Sequence, residues 1–116
     1  LAILLGVVGT SCGGDSDKGL AVSESDAYAT ALSEWRPLAE QGDAEAQVML
    51  GWMYATGKGV RQDNVYAHMW VNIAASQGHE DAAKKRDIVA KKMTSADISA
   101  AQKLARECVG KEYKGC

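Results

Sequence analysis

Residues Leu38–Gln47 read LAEQGDAEAQ, and residues Ala74–Ala83 read AASQGHEDAA. Aligned on Gly42 and Gly78, Ala39 meets Ala75, Gln41 meets Gln77 and Ala46 meets Ala82, each pair 36 residues apart. Each copy has the chemistry of a joint between two helices. Glycine just past a helix is free to take positive φ. The polar residue after it, Asp43 or His79, opens the next helix. An internal period of this size built from helix pairs marks an α-solenoid, in which each pair buries its apolar face against its neighbours.

The apolar residues on either side of the joints keep a helical period, with no strand-like alternation of useful length. A first helix is expected from Ser25 or Asp26, with Ala27, Ala31, Leu32, Trp35 and Leu38 on its inner side and a bend at Pro37. A second follows Asp43 and carries Ala46, Met49, Leu50, Met53 and Tyr54. It stops at TGKGV, Thr56–Val60, where Gly57 and Gly59 break the pattern. Asp63 caps a third, which places Tyr66, Ala67, Trp70, Ile73 and Ala74 on one side. A fourth runs from about His79 to Met93. Thr94 opens a fifth, with Ile98, Ala101, Leu104, Ala105 and Cys108 as its stripe and Asp97 in the capping-box position.

Composition agrees. The chain has 116 residues, one proline and no phenylalanine. It is 47% hydrophobic and 24% charged, with a net charge of -2. These are the figures of one small globular domain, and a nucleic-acid-binding face would need a basic excess.

With the helix pattern in place, the chain resembles the Sel-one-like repeats, relatives of the tetratricopeptide repeat. Leu50–Asp63, LGWMYATGKGVRQD, carries most of the likeness, through Leu50, Gly51, Tyr54, Gly57, Gly59, Val60 and Asp63, preceded by Ala31, Ala39, Gly42 and Ala46. The second repeat supplies Ala67, Trp70, Ala74, Ala75 and Gly78. The resemblance covers about residues 26–108. It implies an all-α fold, a short α-solenoid of about two helix-turn-helix repeats, with a capping helix resembling those that end many such chains. It departs from the pattern at Glu34, where the family has Trp, and at Arg86 and Asp87, which replace the Leu-Gly step and end the series.

The first residues point to export. LAILLGVVGTSC, Leu1–Cys12, is an apolar run followed by small residues and a cysteine. It is shorter than the roughly 20 residues of a membrane-spanning helix and has the size of a signal-peptide core. It resembles a bacterial lipobox, although Gly9 stands where an aliphatic residue is usual. The expected organisation is a truncated signal peptide at 1–11, a lipidated Cys12 with a flexible tether at 12–24, the repeat domain at 25–110, and a tail at 111–116. By resemblance to enterobacterial lipoproteins, Gly13 after the cysteine implies the outer membrane, facing the periplasm. In an oxidising compartment Cys108 and Cys116 would pair and contribute about 2–3 kcal/mol.

No residue constellation carries chemistry. His68, next to Ala67 on the third helix, is expected to point outward. His79 aligns with Asp43 and reads as a helix-start residue. The carboxylates lie at helix starts or on solvated faces, the serines fall in no nucleophile motif, and two cysteines with a distant histidine do not make a metal site. No cofactor is expected. The resemblance therefore implies a non-catalytic scaffold or adaptor that binds another protein in the cell envelope, with Trp35, Arg36, Trp52, Arg61 and His68 as candidate contact residues. Trp52 stays open between an exposed anchor and burial against the first helix with Trp35. The alternative, a hydrolase of cell-wall material or β-lactams, belongs to a cysteine-rich branch with a cysteine pair in each repeat. Here no cysteine lies between Cys12 and Cys108.

Overall fold

The computed structural model describes residues 24–116, and the apolar run, Cys12 and most of the tether lie outside the described residues. Five helices follow: α1 Glu24–Glu40, α2 Ala44–Thr56, α3 Asn64–Ser76, α4 Glu80–Ala90 and α5 Ser95–Gly110. There is no strand among the described residues. The protein is a short α-solenoid of two helix pairs, α1–α2 and α3–α4, closed by α5.

The starts of α2, α3 and α5 are each capped by a side chain. Asp43 accepts from the Ala46 amide, Asp63 from Val65 and Tyr66, and Thr94 from Asp97. The two joints are chemically the same. Gly42 and Gly78 both sit at φ 94°. Gly42 N–H donates to Ala39 and Asp43 N–H to Leu38. Gly78 N–H donates to Ala75 and His79 N–H to Ala74. This is the Schellman closure, and the residue that completes it also caps the following helix. Two boundaries differ from expectation. Helix α1 already runs through Ser25 and Asp26. Helix α4 stops at Ala90, because residues 91–93 tighten into a turn in which Lys92 N–H reaches Val89 and Met93 N–H reaches Ala90.

Helix α3 is the centre of the molecule. Helices α2, α4 and α5 all pack on it, while α1 packs along α2. Its apolar residues Ala67, Met69, Trp70, Val71, Ile73 and Ala74 are all buried. The main core gathers Ala39, Ala46, Leu50, Met69, Trp70, Ile73, Ala105 and Cys108, with Leu32, Trp35, Tyr54, Tyr66 and Leu104 packed around it. A smaller cluster of Val48, Ala74 and Ala82 lies against Ala44 and Ala75.

Helices α2 and α3 approach closely at Gly51. A Cβ there would lie 2.7 Å from Val71 Cγ1 and 3.1 Å from the Ala67 carbonyl oxygen. Only glycine lets α2 and α3 meet at this depth. The position 36 residues later is Asp87, preceded by Arg86. Asp87 is exposed, and α5 packs on α3 rather than on α4. Two charged side chains stand where the first repeat offers Leu50 and a bare Cα, so the second helix pair cannot take the next helix as the first pair does.

Candidate functional site

The α3–α5 junction leaves a cleft of about 480 Å³, lined by Asn72, Ile73 and Ser76 from α3 and by Gln102, Ala105, Arg106 and Val109 from α5. Its floor is apolar and its rim carries amides, a hydroxyl and a guanidinium. Val109 is 47% exposed, and Leu38 and Ile88 are exposed to a similar degree among the described residues. Arg86 donates to Asn72 Oδ1 at 3.4 Å and so flanks the α3 side of the same cleft. A polar rim around a small apolar patch is the layout of a modest interaction surface.

None of the five expected contact residues lines this cleft. Trp35 packs against the main core from α1. Arg36 donates to the Tyr54 hydroxyl at 3.2 Å, which ties α1 to α2. Arg61 is exposed on the loop between α2 and α3. Trp52 is half-buried on α2, with Lys85 Nζ of α4 4.7 Å from its ring centroid. That geometry is a cation–π contact, and it places Trp52 against α4 rather than with Trp35.

His68 is the clear correction. It is 3% exposed, and its Nδ1 has no hydrogen-bond partner. The expectation of an outward side chain came from its place beside Ala67. Because α3 is surrounded by three helices, its whole circumference over this turn is covered, so periodicity could not assign it a solvent face. Burial holds the imidazole below its ordinary range, the Arg86 guanidinium adds to that, and the Asp87 carboxylate opposes it. The Trp70 indole N–H is likewise buried without a partner.

His79 does what its alignment with Asp43 implies. Its Nδ1 accepts from the Ala82 amide at 3.1 Å, and its Nε2 lies 2.8 Å from Glu45 Oε1. A ring whose Nδ1 accepts carries its proton on Nε2, which then donates to Glu45. Both nitrogens are engaged, and His68 is buried. Among the described residues no group of three or more His, Cys, Asp or Glu side chains could hold a metal ion.

Gln47, fully buried, is the residue the sequence pattern passed over. Its Nε2 donates to the Ala39 carbonyl at 3.0 Å, and its Oε1 accepts from Gln77 Nε2 at 2.7 Å. It stitches the first joint to the second. The sequence signal was an amide beside the apolar run of α2.

A short α-solenoid with an open cleft is the general architecture of an interaction scaffold. The Sel1 repeat family model matches residues 44–79, which span α2, the loop after it, α3 and the second joint. Sel1 repeats are generally protein-interaction modules. Neither the curated proteins nor the solved structures contain a match.

Proposed function

We propose that this chain is a non-catalytic interaction module of the bacterial cell envelope, held at the outer membrane by a lipid on Cys12, that docks a segment of a partner protein in the α3–α5 cleft. The carrying observation is the cleft itself, in which Val109 and Arg106 remain uncommitted beside a Sel1 repeat. The order of apolar run, small residues, Cys12 and Gly-Asp-rich linker supports the anchor. A photocrosslinking residue at Val109 should give one discrete adduct in intact envelope, and Arg106→Glu should remove it. The same probe at Lys91, exposed in the turn between α4 and α5 and outside the cleft lining, should give none. Equal labelling from both positions would reject the cleft. Cys12→Ala should move the protein from the membrane fraction to the soluble fraction, and retention on the membrane would reject the anchor.

A further inference from the structure

The segment 111–116 folds back from the end of α5 to the first joint. Glu112 and Tyr113 hold left-handed backbone, at φ 55° and 68°. Non-glycine residues adopt it only when their surroundings impose it. The turn is closed by the Tyr113 amide donating to the Cys108 carbonyl at 2.8 Å. It lays the Tyr113 ring on Gly42, with Cε2 3.2 Å from where a Cβ would stand. Lys114 Nζ donates to the Glu40 carbonyl at 2.8 Å, across 74 residues of sequence, and so satisfies the end of α1. The second joint has no such cover: nothing lies within 4 Å of the equivalent point on Gly78. Helices α1 and α5 pack mainly on different neighbours, and this segment adds a direct tie between their ends.

The Cys108–Cys116 disulfide closes the segment. Its two sulfurs are unlike. Cys108 is 1% exposed within the core, while Cys116 is only partly buried. Thiol–disulfide exchange goes to the sulfur an incoming thiolate can reach. Here that is Cys116.

We propose that this disulfide is an exchange site for a dithiol reductant, and that its redox state decides whether the segment is clasped on the first joint. One thiolate of the reductant attacks Cys116 Sγ. The Cys108–Cys116 bond breaks, and Cys108 leaves as a thiolate that takes a proton. The second thiol of the reductant then attacks the mixed disulfide and frees Cys116, which also ends protonated. Two electrons pass to the protein, and the reductant leaves as its own disulfide. Without the bond, two residues in costly backbone are held by the backbone hydrogen bonds of the turn itself, the Lys114 hydrogen bond and the packing of Tyr113, and the segment leaves the joint. The matching partner class is a dithiol–disulfide oxidoreductase. The inference does not depend on what the α3–α5 cleft binds.

The test is hydrogen exchange by mass spectrometry on the full chain, oxidised and after dithiothreitol without denaturant. Reduction should accelerate exchange of the 111–116 amides and of the Gly42 and Asp43 amides at least tenfold, while α3 stays protected. The Gly78 joint, which the segment does not touch, should not change. In the oxidised protein, Tyr113→Ala with Lys114→Ala should free the Gly42 joint alone. A disulfide that resists dithiothreitol in the folded state would overturn the exchange site. Unchanged protection at Gly42 after complete reduction would overturn the clasp. Loss of protection throughout α3 would show a structural staple instead of a local clasp.

Discussion

The two passages from one helix pair to the next helix, α2 into α3 and α4 into α5, occupy the same register and end differently. At the first, Leu50 is buried and Gly51 lets α3 seat against α2. At the second, Arg86 and Asp87 keep α5 away from α4, and α5 settles on α3, leaving the cleft. A solenoid is extended or ended by a few atoms at one crossing. The difference between a bare Cα and a carboxylate decides whether an interface is made or an opening is left.

The comparison can be broken most severely at the crossing. Gly51→Ala places a methyl 2.7 Å from Val71 and against the Ala67 backbone, so it should cost about 2–3 kcal/mol, the range of overpacked cores. Asp87→Ala, at the equivalent position, should leave stability nearly unchanged, since the residue is exposed. Urea unfolding of both variants measures the contrast, and equal losses would mean that the crossing is not what separates the repeats.

The joints sharpen it next. Gly78→Ala should cost about 1–2 kcal/mol, the penalty of left-handed backbone for a residue with a Cβ. Gly42→Ala should cost more in the oxidised protein, because Tyr113 must also move. The excess should vanish when Tyr113→Ala is combined with it, a double-mutant cycle read by thermal melts.

A smaller effect separates the caps. His79→Ala should destabilise by about 1 kcal/mol, whereas His79→Asp, which makes the second joint resemble the first, should be close to neutral. Chemical denaturation of the two variants checks this.

The smallest effect at neutral pH is the titration of His68. Its folded pKa lies below the ordinary value of 6.5. Below that value the unfolded chain binds a proton that the folded chain refuses. The stability is therefore fully present above 6.5 and is lost as pH falls toward and through the lower folded value. His68→Leu should flatten this dependence in melting temperatures taken between about pH 7 and about pH 5.

Much of the fold was legible because it follows from local rules. The caps at Asp43, Asp63 and Thr94, the glycine stops and the helical period each act within a few residues, and the five helices follow them. The cleft was only half legible. Arg86 and Asp87 marked the end of the series, but where α5 would go depended on surfaces far apart in sequence. Trp35, Arg36 and Trp52 were candidate contacts, Trp35 from the inner side of the first helix and Trp52 open between exposure and burial. In the structure each has a partner: the core, Tyr54 and Lys85.

By itself the sequence determined a two-pair helical solenoid, its joints and its stop, because helix propensity, capping and glycine conformation are properties of a few neighbouring residues. Only the tertiary structure decided that α3 is enclosed on three sides and buries His68, that Gln47 links the two joints, and that Tyr113 and Lys114 return to the first one. Those outcomes depend on which surfaces meet across 30 to 74 residues of chain, and no local period encodes them.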